Sequence, residues 1–277
     1  MWDFLFEYYP FSPAKLTAWH PGFGVMLEGP PAQTYLRQPG YRRVPGGVTA
    51  DPGSLTGRRP RLALAIGILH GTLTRPAVTG CFALHEWAMV YRLSQDEVRH
   101  AQLPLRLSPE DIASAVETIG LRCTHIDAFR FFTPAAVPLN ALVPTRASQP
   151  QLEQPGCLHA AMDLYKMTAW FQPLTSSDLL LDTFENAARA RELDMRSSPY
   201  DVSAFGMAPI RVETPEGRRE YAKAQADLRQ RTNPLRRRLL ADLSEIQAAM
   251  DSVPEQDSRP GDEGVAGGVN DGAADAV

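Results

Sequence analysis

Three strings of one kind punctuate this chain. Ser108-Pro109-Glu110-Asp111, Ser176-Ser177-Asp178 and Thr214-Pro215-Glu216 each set a hydroxyl side chain ahead of an acid. A hydroxyl caps the free amides of a first helical turn, proline fits that turn, and an acid favours its positive end. The strings therefore predict helix starts. The helices they open do not alternate with strand patterns, which argues against a doubly wound sheet.

The helices can be followed from there. Ser108 opens one that ends near Ile119, with Gly120 as its stop. Ser176 opens another to about Leu193, and Thr214 a third down to Met250. Pro234 should kink or split the third, and Arg236, Arg237 and Arg238 should make its outside basic. Arg61–Leu73, Gly80–Tyr91 and Gly156–Trp170 are further apolar helices. Leu121–Thr124, Phe129–Phe132 and Ile210–Glu213 are short strand candidates, and the Pro- and Gly-rich Gly29–Pro60 reads as a long surface excursion. The expected fold is mainly α: a compact multi-helix domain over residues 1–250, with a few short strands.

Charge divides the chain in two. From Asp251 onward there are seven acids and one base, so a tail of −6 follows a body of +2. The tail, residues 251–277, has almost no large apolar residue and is expected to be disordered. The body is mildly basic, which permits nucleic-acid binding without demanding it. The start, Met1-Trp2-Asp3, lacks the pattern of a signal peptide. The longest apolar run, Leu62–Leu69, is too short to span a bilayer, so no membrane is expected. Cys81, Cys123 and Cys157 are scattered with no CxxC spacing. Such a set reads as reduced, buried thiols in a cytoplasmic protein.

Polar chemistry gathers around four of the six histidines. "LHEWAM" nearly spells the zinc-protease motif His-Glu-x-x-His, but Met89 replaces the second histidine. His85 and Glu86 point about 100° apart on a helix of 3.6 residues per turn, so one of the two is expected to face inward. In "CLHAAMDLYK", His159 and Asp163 lie four apart and share a helical face. A buried Asp163 needs His159, Lys166 or an arginine to compensate it. In "THIDAFRFFTP", His125 and Asp127 would share one face of a strand, with Arg130 set among Phe129, Phe131 and Phe132. Arg130 there needs a buried partner or an anionic ligand. His20 begins "HPGFG" after Trp19, and "ELDMRSSPYD" puts Arg196 and Tyr200 at a helix end that suits a pocket rim. GxxxxGK[ST], GxGxxG and GxSxG are all missing, which argues against P-loop, Rossmann and common acyl-hydrolase chemistry.

Several long blocks resemble, in order, an actinobacterial protein family usually labelled 3-methyladenine DNA glycosylase. They are "DFLFEYYPFSPAKLTAWHPGFG", "CFALHEWAMVYR", "HIDAFRFFTPAAVPLN", "EQPGCLHAAMDLYK" and "ARELDMRSSPYD", and the likeness runs over most of residues 3–245. The Pro21-Gly22-Phe23-Gly24 turn also resembles that of a helix-hairpin-helix, although "EGPPA" (Glu28–Ala32) breaks the second helix.

The resemblance implies an N-glycosylase that excises alkylated purines from DNA without a cofactor. Such an enzyme flips the base, stacks it, and stabilises a positive sugar while water attacks. His85, Glu86, His125, Asp127, His159 and Asp163 are the expected catalytic set. Trp19, His20, Arg130, Tyr165, Lys166, Arg196 and Tyr200 are the expected substrate contacts. The same histidines and acids could equally form a centre for Fe, Mn or Zn in a small-molecule enzyme of specialised metabolism. A third reading makes them core ion pairs of a non-enzymatic interaction protein.

Overall fold

The computed structural model describes residues 4–7, 9, 16–99 and 102–252. The expected disorder of the acidic tail falls almost wholly on residues outside these. The fold is mainly α. Among the described residues nine helices run in the order α1 (Phe4–Glu7), α2 (Arg59–Thr74), α3 (Leu84–Ala88), α4 (Pro109–Ile119), α5 (Ile126–Phe129), α6 (Gln149–Leu152), α7 (Leu158–Trp170), α8 (Ser177–Ser197) and α9 (Pro215–Asp251). None of them is long and apolar enough to cross a membrane.

The three cap strings do what their chemistry requires. Ser108 accepts from the amide of Asp111, Ser176 from that of Leu179 and Thr214 from that of Gly217. Gly120 ends α4 at φ 80°, a left-handed conformation that favours glycine. At the start of α9, a Cβ on Gly217 would lie 1.9 Å from the carbonyl oxygen of Arg211, so only glycine lets the chain pass there.

Four expectations are corrected. Pro234 does not split the third helix: α9 runs unbroken through it, because losing one amide costs less than giving up the packing on either side. Arg236 is not on the outside but 1% exposed, while Arg237 and Arg238 are exposed. The helix around "LHEWA" is much shorter than Gly80–Tyr91, since Phe82 and Ala83 hold left-handed φ values of 44° and 55° that stop helix from extending backward. The three strand candidates are not strands. Residues 126–129 form α5, because the His125 ring caps that turn, and Leu121 makes only an isolated bridge to Asn140.

The sheet lies instead in and beside the Pro/Gly-rich stretch. β1 (Met26–Leu27) and β2 (Tyr41–Val44) flank β3 (Gly47–Ala50), all antiparallel, with Met26 opposite Thr49 and Tyr41 opposite Ala50. Short 3-10 helices at Pro30–Arg37 and Pro52–Arg58 fill the rest.

The helices pack around α7. It packs against α8, and α9 packs against both and against α2. Met162 and Tyr165 of α7 enter one apolar core with Trp87, Ile112, Ala187 and Tyr221. Leu164 and Met167, on its other side, enter a second with Leu62, Leu69 and Leu243. Each fully buried side chain of this size contributes about 1.5–3 kcal/mol. Polar groups of α8 and α9 grip the first turns of α7. Gln225 donates to the carbonyl of Gly156 (2.6 Å), and Asn186 to that of Ala161 (3.1 Å). Thr232 in turn donates to Asn186 (2.9 Å), and the Arg236 guanidinium reaches the carbonyl of Ala160 (3.4 Å). The backbone on either side of His159 is thereby fixed.

Candidate functional site

Three histidines from three segments meet in the interior. The His159 ring centroid is 4.8 Å from that of His85 and 5.4 Å from that of His125. His85 comes from α3, His125 from the cap of α5 and His159 from the first turn of α7.

On one side of His159, both His85 and Glu86 are buried, at 7% and 8% exposure. The expectation that one of the two would face out is wrong, because α3 is a single turn with partners on both sides. The His85 Nε2 lies 2.8 Å from Oδ1 of Asp194. The Arg191 Nη1 donates to Glu86 (3.1 Å) and to Oδ2 of Asp194 (2.8 Å). Arg191 and Asp194 lie three apart on α8 and so share its face. The Trp87 indole donates to the carbonyl of Ser197 (2.8 Å), which pins α3 to the end of α8. The backbone entering this turn is the left-handed pair Phe82 and Ala83. Strained conformations of this sort persist where the surroundings hold them, and they collect at functional sites.

On the other side, His125 Nε2 lies 3.0 Å from Glu153 and 3.5 Å from Asp163, and all three residues are at most 1% exposed. The other ring nitrogen, Nδ1, accepts the amide of Asp127 at 3.2 Å. Gln149 donates to the Glu153 carboxylate. Asp163 also takes the Lys166 ammonium (2.6 Å) and the Tyr9 hydroxyl (3.3 Å). The partners of Asp163 are thus Lys166 and His125, not the His159 on its own face. Asp127 belongs to an outer layer. It receives Lys166 at 3.3 Å and a forked pair from Arg146, and Arg130 stands 3.7 Å away. The strand face expected to join His125 and Asp127 does not exist; the capped turn of α5 brings them together instead.

Burial and charge sort the three imidazoles. Burial would lower the His125 pKa, but Glu153 and Asp163 raise it to about 10. The Asp127 amide pulls the other way, since Nδ1 can accept its N–H only while unprotonated. At His85, Asp194 likewise outweighs burial and the shift is upward. His159 lacks such a carboxylate partner; burial and then the neighbouring His85 push it down to about 3. It is therefore a neutral imidazole at ordinary pH, and its Nδ1 has no hydrogen-bond partner. Asp163 and Asp194 are both held below the usual carboxylate range despite burial, by Lys166 and His85 respectively. The Glu86 carboxyl is pushed up by burial and by Asp194.

Among the described residues, two groups of three have the donor types and spacing of metal ligands. They are His85, Glu86 and Asp194, and His125, Glu153 and Asp163; within each group the donor atoms lie within 4.8 Å of one another. The sequence reading places His85, Glu86, His125 and Asp163 here and misses Glu153, Asp194, Arg191 and Arg146. Arg191 and Asp194 carried a readable signal, opposite charges three apart on a helix. Glu153, just before a Pro-Gly turn, carried none.

The other expected contacts divide. Lys166 and Arg130 join the cluster through Asp127 and Asp163. Tyr165 is buried in the core, edge-on to Tyr9 and Phe184. Trp19 is 51% exposed. His20 meets Tyr41 (2.9 Å), and its carbonyl takes the Ser177 amide at the start of α8. Ser177 and Asp194 are 17 residues apart on α8, about 25 Å at 1.5 Å per residue, so Trp19 and His20 are remote from the histidines. Arg196 turns to the carbonyl of Ala208 and to Glu220. Tyr200 is buried in the first core and its backbone bridges Leu105. Comparison with known proteins adds nothing to this picture: no family model, curated protein or solved structure matches the chain.

Proposed function

We propose that this protein is a metal-dependent enzyme acting on a small molecule, with Fe, Mn or Zn held by the interior histidines and carboxylates. One observation carries the reading. Two buried groups of one imidazole and two carboxylates flank His159, whose Nδ1 finds no partner. Imidazole and carboxylate donors without a thiolate suit Fe, Mn and Zn. A core gains little from so many buried charges, because replacing a buried ion pair by apolar residues is often neutral or stabilising. Their density therefore favours function over packing.

A divalent ion there would supply a Lewis acid and lower the pKa of bound water. The chain's own residues do the rest. Arg191 orients Glu86 and Asp194, Lys166 orients Asp163, and Gln149 orients Glu153, so the carboxylate donors are set before any ligand arrives. His159 offers an unprotonated nitrogen between the two groups. The DNA N-glycosylase implied by the resemblance rests on the resemblance and on the pairing of Asp163 with His125.

Elemental analysis of protein purified without chelator, followed by calorimetric titration of the stripped protein with Fe(II), Mn(II) and Zn(II), tests the proposal. At least one equivalent should bind, more weakly as pH falls because protons compete for the donors. Asp194→Asn, His125→Ala or His159→Ala should lower that stoichiometry or affinity. A folded protein that takes up none of the three metals overturns the reading. Release of 3-methyladenine from methylated duplex DNA by stripped protein, dependent on Asp163 or Asp127, would replace it with the glycosylase. Variants that lower only the melting temperature would leave the histidines as core ion pairs.

A further inference from the structure

Beside the two groups lies a small cavity of different chemistry. It is bordered by His85 and His159 and by all three cysteines of the chain, Cys81, Cys123 and Cys157. The cysteines come from separate places: the turn before α3, the segment before α5, and the cap of α7. Five apolar side chains share the remaining wall with Arg122, Thr124 and Gln154, and no carboxylate borders it. The cavity has room for about 20 Å3, enough for one small occupant. His159 is 6% exposed, and its partnerless Nδ1 is the second sign of a missing ligand.

The thiols are weakly engaged. The Cys123 Sγ reaches the carbonyl of His125 at 3.5 Å, and the Gln225 amide reaches the Cys81 Sγ at 3.8 Å. Sulfur and imidazole donors in a carboxylate-free cavity select a soft ion over a hard one.

We propose that this cavity is a binding site for one soft monovalent metal ion of the Cu(I) type, held by cysteine sulfur with the His159 imidazole. On binding, an S–H bond breaks, a sulfur–metal bond forms, and the proton goes to solvent; no electron is transferred. The site uses the same His159 as the reading above, but its sulfur donors are its own, and it does not depend on that enzyme.

The test is an anaerobic titration of the full chain, reduced and stripped of metal, with Cu(I) and with Ag(I) as redox-inert probe, against a competing Cu(I) chelator. Wild-type protein should retain one equivalent, gain a near-ultraviolet thiolate-to-metal band, and show sulfur neighbours by X-ray absorption. Cys81→Ser, Cys123→Ser and Cys157→Ser combined should weaken binding tenfold or more, while Asp163→Asn should not. The inference is overturned by three results: no retention by wild-type protein, unchanged retention by the triple variant, or an equal loss in Asp163→Asn. If the triple variant does not fold, as read by circular dichroism, X-ray absorption of the wild-type complex decides: nitrogen and oxygen neighbours alone overturn the site.

Discussion

At the scale of single residues, the surroundings of the histidines show how charge is managed near the site. Arg106 stacks on Trp87, with its guanidinium carbon 5.2 Å from the ring, and meets Glu213 through two hydrogen bonds of 2.5 and 2.8 Å. Burial alone would raise the Glu213 carboxyl, but the Arg106 bonds outweigh it and the net shift is downward from 4.5. A depressed acid contributes stability that is present above its unfolded pKa and is lost as pH falls toward the folded value. Glu213→Gln is accordingly expected to cost about 1.5–3 kcal/mol at pH 7, the range for hydrogen bonds to charged groups. The difference from wild type should shrink steadily below about pH 4.5. Denaturant melts of both proteins at pH 7, 5 and 4 measure it, and a pH-independent gap would refute the ion pair as its source. At this scale much of the site was legible. The spacing of His159 and Asp163 puts both on α7, and the demand for a partner to Asp163 leaves His159, Lys166 or an arginine, of which Lys166 is the one that meets it. The link between Glu86 and Arg191 was not, because it joins residues 105 positions apart and is set only by how α3 meets α8.

At the scale of elements, the cap strings were read correctly because capping is local chemistry between residues two or three apart. The sheet was missed for the opposite reason. Its strands are two to four residues long and held by pairing across a Pro/Gly-rich stretch, where the turn signals drown the strand signal. Pro234 misled in the same way: propensity predicts a break, and the packing of α9 against α2, α7 and α8 overrides it. The proline still has a cost. It cannot donate to the carbonyl of Gln230, and its side chain is exposed, so it contributes little packing in return. Pro234→Ala restores that bond and should stabilise the protein by about 1–3 kcal/mol. Thermal melting compares the two. A variant no more stable than wild type would mean that the helix has already adapted its geometry around the proline.

At the scale of the whole molecule, α7 joins everything. Its residues enter both apolar cores, its first turn carries His159, and Asp163 anchors the His125 group from its middle. The polar cluster thus lies on the seam where loosening either core would displace an imidazole or a carboxylate from its partners. A seam of this kind requires the two cores to melt together, because neither can open without exposing one face of α7. The chain supplies its own reporters, since Trp87 is buried in the first core and Trp170 packs against the second. Denaturant unfolding is expected to give one transition with coincident midpoints, followed by Trp87 fluorescence in a variant with Trp2, Trp19 and Trp170 changed to Phe and by Trp170 fluorescence in one with Trp2, Trp19 and Trp87 changed to Phe. Far-ultraviolet circular dichroism of each variant should track its own fluorescence. Separate midpoints within a variant would show that the cores are independent units. The geometry around His159 would then depend on only one of them.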